Sequence, residues 1–219
     1  CAGLGIIICS CNLTGLGINL SNILISLSGG NITFLLILTA IVAIILGMGM
    51  PTAGVYFFCA LMLAPALINL GIVPIAAHMF IFYFGLAALV TPPVALAAYT
   101  AAPIAEASPF KTGLIAALMA LPLYLIPFVF INYNGLLLLG NIKEIVLAIL
   151  IAIGALLSWC YGVEGYSPLG KIKWQWRFTS LVALFLIVYP SFVLTLIGVI
   201  TILLICFFDI LLKIKQSKI

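Results

Sequence analysis

Two short segments carry groups able to hold an ion. Gly47-Met48-Gly49-Met50-Pro51-Thr52 and Thr91-Pro92-Pro93 each set proline beside threonine, between apolar runs with no charged residue nearby. Proline lacks the backbone N–H and restrains the residue before it away from the α region, so a helix breaks at both places. In a bilayer an unpaired amide or carbonyl costs several kcal/mol, and irregular backbone survives only where it is buried in protein or lines a wet cavity. The freed carbonyls are hard oxygen ligands suited to a small cation, and Thr52 and Thr91 add hydroxyl oxygens. The N-terminus of the helix resuming after each break points partial positive charge at the same cavity, which suits an anionic group. Kinks and packing sites in membrane helices also use proline and glycine. Two breaks about 40 residues apart, each pairing Pro with Thr, favour the functional reading, because paired interruptions are the best sequence pointer to a carrier site.

Other chemistry is sparse. His78 is the only residue before Glu106 able to carry charge near neutral pH. An ionisable residue in a membrane helix is a functional candidate by default. Its neighbourhood in the chain supplies no acidic partner, so a neutral imidazole bonded to a backbone carbonyl is expected. Cys9 and Cys11 form only a C-x-C, with no second pair and no nearby histidine, and the six cysteines read as small apolar packing residues. Asn69, Asn132, Asn134 and Asn141 occupy turn or cap positions. Glu106 and Lys111 read as topological loop residues, and Phe80 to Phe84 as packing.

The elements that must position the two breaks are membrane helices. The 219 residues are 67% hydrophobic and 5% charged, against about 25% charged in soluble domains. No Lys, Arg, Asp or Glu occurs before Glu106, as lipid demands when a charge at a helix centre costs roughly 2.5–3.5 kcal/mol. The net charge of +4 is carried by Lys171, Lys173 and Arg177 and by a tail with Lys213, Lys215 and Lys218. That pattern implies topology and contact with lipid headgroups, not nucleic-acid binding. The chain starts at Cys1 inside an apolar run, without a basic segment and small-residue cleavage site, and reads as part of a longer protein.

Expected elements follow from the interruptions. An apolar segment ends near Leu13, and Thr14-Gly15-Leu16-Gly17 breaks it before a short helix over Asn19–Ser28. Ile32–Leu46 is too short to cross comfortably. With a second run from Ala53 to about Leu70 it forms a re-entrant hairpin, or else the two are pieces of one broken span. Pro74 suits the first turn of a helix reaching about Val90. Helix resumes at Val94 and continues to about Ala105. Ser108-Pro109 reads as an N-cap and first helical residue, opening a span to Ile131 kinked at Pro122 and Pro127. Ile142 to about Tyr161 is a further span. Gly162–Arg177 is a polar loop with Trp174 and Trp176 as interfacial anchors. Phe178–Ile210, interrupted at Tyr189-Pro190-Ser191, is too long for one straight span; basic flanks favour a hairpin or strongly kinked pair over a single tilted helix. The positive-inside rule puts loop 162–177, the tail and loop 106–111 in the cytoplasm, and turn 132–141 outside. Residues 1–131 form a transport-type repeat and 132–219 a C-terminal helical region.

The motifs also match a known pattern. Gly47-Met48-Gly49-Met50-Pro51-Thr52, Ala64-Pro65-Ala66-Leu67, Ala76 through Gly85, and Thr91-Pro92-Pro93-Val94-Ala95-Leu96-Ala97-Ala98-Tyr99 resemble the large membrane subunit of tripartite ATP-independent periplasmic (TRAP) transporters. The fused permease type is the most similar. The resemblance is dense from Cys1 to Leu138 and thin afterwards. It implies an all-α, multi-span membrane bundle with a re-entrant hairpin and a broken helix, one half of an inverted-repeat transporter in a bacterial-type inner membrane. It implies sodium-driven uptake of organic acids, such as dicarboxylates, oxo acids or sialic acid, delivered by an extracytoplasmic solute-binding protein. The other half of the permease would precede this part. Gly47, Met48, Gly49, Pro51 and Thr52 at the hairpin tip, with Thr91, Pro92 and Pro93, would hold one sodium ion, and no other metal or cofactor is implied. Gly85, Ala88 and His78 are candidates for the substrate cavity. Two departures stand out: Ala53, where relatives often carry a second hydroxyl, and Ala88-Leu89, where they often carry polar or acidic side chains.

Two other classes are disfavoured. A membrane-embedded enzyme needs a nucleophile with its base, or clustered metal ligands, and one histidine with scattered cysteines offers neither. A channel or scaffold would show charge rings or a sustained polar stripe, and none is present.

Overall fold

The computed structural model describes residues 2–167, 170–189 and 191–216. Cys1, Pro190 and Lys218 lie outside the described residues, as do the side chains of Lys213 and Lys215. The protein is an all-α membrane bundle. Among the described residues, Thr52–Asn69, Pro109–Asn132, Ile142–Glu164 and Phe192–Asp209 are long and apolar enough to cross a membrane. The pair Gly5–Leu13 and Leu16–Ser28, bent by 66°, makes a fifth if taken as one broken span. The chain divides into two compact units, Cys1–Pro127 and Phe128–Ile219.

The first unit begins with α1 (Ala2–Leu13) and α2 (Leu16–Ser28), separated at Gly15 in the left-handed region. Gly29, also left-handed, ends α2, and the Asn31 side chain accepts from Phe34 N at 3.1 Å to open α3 (Ile32–Gly47). Helix α4 (Thr52–Asn69) follows. Cys59 Sγ of α4 lies 3.8 Å from Ala43 O of α3. Gly47 faces Val55, whose Cγ1 is 3.1 Å from where a glycine Cβ would stand. Four residues back along α3 therefore pair with four residues forward along α4. The two helices form an antiparallel hairpin with its tip at 48–51, so of the two arrangements the sequence allows, it is the hairpin that forms. Gly49 at φ 79° permits the reversal.

Pro65 inside α4 cannot donate to the Leu61 carbonyl, and α2 crosses here. Gly17 brings α2 to within 3.2 Å of Leu61 O, measured from its would-be Cβ, and Ser21 donates to Met62 O at 3.0 Å. Leu35, Met62, Leu63, Phe80 and Ile81 are fully buried between these helices and α5 (Pro74–Ala87). At 1.5 Å per residue α3 and α5 are about 24 and 21 Å long, short of the 30 Å hydrocarbon core.

Helix α5 starts at Pro74 as expected but ends at Ala87, before Val90. The resumed helix, α6, is only Leu96–Ala101, not Val94–Ala105. Ala95 is left-handed at φ 34°, so helix cannot begin before it. Pro103 has no N–H for the Tyr99 carbonyl, which stops it. Pro109 opens α7 (Pro109–Met119), but Ser108 does not cap with its side chain; its carbonyl instead accepts from Thr112 Oγ1 at 3.0 Å. Ala120 separates α7 from α8 (Leu121–Asn132), where Pro122 withholds a donor.

In the second unit, a short 3-10 turn (Asn134–Leu137) leads to α9 (Ile142–Trp159), where Glu144 Oε2 accepts from Asn141 N at 3.1 Å. A π turn, Cys160–Glu164, extends α9. The two-residue strands β1 (Tyr166–Ser167) and β2 (Gly170–Lys171) pair antiparallel, and α10 (Trp174–Val188) follows. The expected polar loop 162–177 is thus corrected: its first three residues belong to the π turn and Trp174–Arg177 to α10. Arg177 ties these ends together, donating from Nε to Gly162 O (3.2 Å) and from Nη2 to Val163 O (2.7 Å). Helix α11 (Phe192–Gln216) packs back along α10. Thr195 Oγ1 is 3.3 Å from Ile187 O, Gly198 abuts Ala183, and the Trp176 and Phe208 rings stack at 6.3 Å. The stretch 178–210 is therefore an antiparallel hairpin.

Candidate functional site

The first break is a tight reversal. Gly47 closes α3, Met48 is extended, and Pro51, extended at φ −69° and ψ 153°, precedes Thr52 as the first residue of α4. Met50 N reaches Gly47 O at 3.5 Å, and Val55 N donates to Pro51 O at 3.0 Å. Gly49, Pro51 and Thr52 are exposed, while Gly47 is buried.

The second break is a longer, knotted-down turn. Leu89 N and Val90 N donate to Leu86 O and Ala87 O, at 3.0 and 3.1 Å. Ala97 N donates across the whole turn to Leu89 O at 3.0 Å, and Ala95 N to Thr91 O at 3.0 Å. The Pro92–Pro93 peptide is cis. The carbonyls of Leu89 and Thr91 are thus spoken for by the backbone. Among the described residues, no backbone amide donates to the carbonyls of Met48, Gly49 and Met50 at the first break, or to those of Val90, Pro92, Pro93 and Val94 at the second. Their oxygens are what the two breaks offer.

Thr91 is held on both sides. Its Oγ1 donates to Ala87 O at 2.5 Å and lies 2.6 Å from Tyr124 Oη of α8. The Tyr124 ring also sits 6.2 Å from that of Phe84. Tyr124 escapes a sequence reading, because 33 residues separate it from Thr91. The signal that would have found it is a lone phenol in an apolar helix, which needs a partner.

The breaks are joined through small residues. A Cβ on Gly47 would stand 3.0 Å from Ala88 Cβ and 3.0 Å from Gly85 O, and one on Gly85 would stand 2.5 Å from Val55 Cγ1. The entry to the first break therefore packs directly on the last turn before the second. Gly85 and Ala88 are buried in this contact, where they let α3 and α5 approach. Among the described residues the Thr91 side chain bonds to Ala87 and Tyr124, not to Thr52.

His78 stands elsewhere. It lines a groove of about 560 Å³ with Phe57, Ala64, Pro65, Ile68 and Asn69. Its Nδ1 lies 3.2 Å from Tyr56 Oη, so its partner is a phenol and not the expected carbonyl. Cys59 is buried and Cys9 exposed, and among the described residues no three His, Cys, Asp or Glu cluster as metal ligands would. With no Lys, Arg, Asp or Glu before Glu106, and His78 standing away from them in its own groove, the field at both breaks comes from backbone dipoles. The N-terminus of the 18-residue α4 supplies the larger one; α6, six residues long, supplies little.

The family described as "Tripartite ATP-independent periplasmic transporter, DctM component" matches residues 1–145. The chain belongs to this family. The match takes in both breaks and Tyr124, and it makes this DctM-family chain a permease component of a multi-pass membrane transporter. No curated protein and no solved structure matches it. The hairpin tip and the broken helix of this DctM chain are accordingly features of a transporter.

Proposed function

We propose that this chain forms part of the permease of a sodium-coupled importer of organic acids in an inner membrane. An extracytoplasmic solute-binding protein delivers the substrate, and a further permease half completes the transport path. One observation carries the reading: two interruptions, interlocked through Gly47, Gly85 and Ala88, present carbonyls without amide partners in a region free of charged side chains. Hard oxygens of this kind suit a small monovalent cation. Gly47, Met48, Gly49, Pro51 and Thr52 on one side and Thr91, Pro92 and Pro93 on the other would supply the sodium site. The α4 N-terminus favours an anionic group beside it. A bound cation next to that dipole makes a carboxylate more welcome still, which is how an ion gradient is tied to substrate binding.

The test is uptake of labelled dicarboxylates, oxo acids and sialic acid by the complete permease with its partner proteins, with and without a sodium gradient. Thr91→Val and Pro51→Leu should each abolish sodium-stimulated uptake. Sodium-independent uptake, untouched by both substitutions, would reject the mechanism.

A further inference from the structure

Thr91 makes two short contacts with a single proton to share. Ala87 O, at 2.5 Å, has no proton to give, so the Thr91 proton lies on that contact. Tyr124, at 2.6 Å, must then be the donor to Thr91 Oγ1. A hydroxyl oxygen has two lone pairs; Tyr124 takes one, and one is left. The result is a directed relay from Tyr124 O–H to Thr91 O–H to Ala87 O, in which each bond polarises the next. The Phe84 ring beside Tyr124 restrains the donor.

We infer that Tyr124 is a positioning residue of the cation site at the second break: its O–H, brought in from α8, fixes which Thr91 lone pair remains for the ion. The inference rests on the sodium-coupled reading. A cation bound largely by main-chain oxygens gains little from any one of them unless all are already in place, so orientation of the one hydroxyl in the set matters to affinity. Without the Tyr124 proton, Thr91 keeps its bond to Ala87, but its oxygen loses the constraint from α8 and must find another partner in apolar surroundings.

The test is sodium-dependent uptake by the permease with its partner proteins in proteoliposomes, comparing wild type, Tyr124→Phe, Tyr99→Phe and Thr91→Val. Tyr124→Phe raises the half-saturating sodium concentration roughly fivefold, the worth of about one net hydrogen bond. Maximal rate, and substrate KM at saturating sodium, stay within about twofold of wild type on the same basis. Tyr99→Phe, which removes a phenol from the neighbouring α6, leaves the sodium curve in place. A Tyr124→Phe curve superimposed on wild type, with Thr91→Val sodium-insensitive, overturns the inference and leaves the sodium reading standing. Wild-type uptake indifferent to sodium overturns both. If Tyr124→Phe does not assemble, 3-fluorotyrosine at position 124, which keeps the shape and strengthens the donor, must move the sodium curve; an unmoved curve overturns the inference.

Discussion

Val55 fills the space that a side chain on Gly85 would need: a Cβ there would lie 2.5 Å from Val55 Cγ1. Val55 also lies against Gly47, and it stands three residues beyond Thr52. One branched side chain thus fixes the spacing of α3, α4 and α5 at the level where the hairpin tip meets the last turn before the broken helix.

Gly85→Ala should therefore be costly. The added methyl drives α5 off Val55, and overpacking of this kind costs about 1–3 kcal/mol. Thermal unfolding of the purified protein in detergent should show the loss. Val55→Ala in the same molecule should recover part of it, giving a coupling energy of about 0.5–3 kcal/mol in a double-mutant cycle. Additive losses would show that the two side chains do not compete for one space.

Two buried serines make opposite predictions. Ser21 donates to Met62 O across α2 and α4, so Ser21→Ala removes an interhelical bond and should destabilise by about 0.6–1.5 kcal/mol. Ser158, fully buried in α9, has no hydrogen-bond partner among the described residues. Ser158→Ala removes a desolvated hydroxyl and should be neutral or stabilising by up to about 1 kcal/mol. Urea or thermal unfolding of both variants in one detergent separates them by sign.

Much of the hairpin and broken helix was legible because glycine and proline act locally. Gly15, Pro51, Pro74 and Pro109 each stand at the start of a helix where their backbone chemistry suits it. What stayed hidden is what the third dimension decides. The shortness of α6 depends on Ala95 adopting a left-handed conformation that alanine rarely chooses. The Thr91–Tyr124 and Tyr56–His78 pairs join distant positions, and in a chain apolar on nearly every face no periodicity singles out the side that meets a partner. Gly85 reads from sequence as a cavity residue; its burial against Val55 shows only once the helices are assembled.

Arg177→Lys tests the closure of the second unit. The guanidinium reaches Gly162 O and Val163 O with two nitrogens in one plane; an ammonium on a shorter head cannot serve both in that geometry. Loss of one charge-assisted bond, at this half-buried site about 1.5 kcal/mol, the low end of the usual range, should release the turn between the π segment and α10. Hydrogen exchange should speed up roughly tenfold at the Gly165 and Ile172 amides, the equivalent of about 1.4 kcal/mol; both now donate within this turn, to Cys160 O and Gly165 O. Amides at the centre of α9 should exchange at the wild-type rate.

Glycines in this chain divide by what lies opposite them, and that division predicts their tolerance. A Cβ on Gly198 of α11 would stand 2.7 Å from Ala183 O and 2.7 Å from Ile187 Cγ1, and the carbonyl, as backbone, cannot swing aside. Gly198→Ala should push α11 off α10 and lower the unfolding midpoint, with a cost of about 1–3 kcal/mol. Gly3 and Gly5 in α1 have nothing within 4 Å of a would-be Cβ. There the added methyl meets no obstacle, and the helix gains up to about 1 kcal/mol from reduced backbone freedom. Gly3→Ala should be neutral or stabilising in the same melt. A Gly198→Ala protein that unfolds with the wild-type midpoint would mean that α10 and α11 do not pack at this point, and the hairpin would lose its tightest contact.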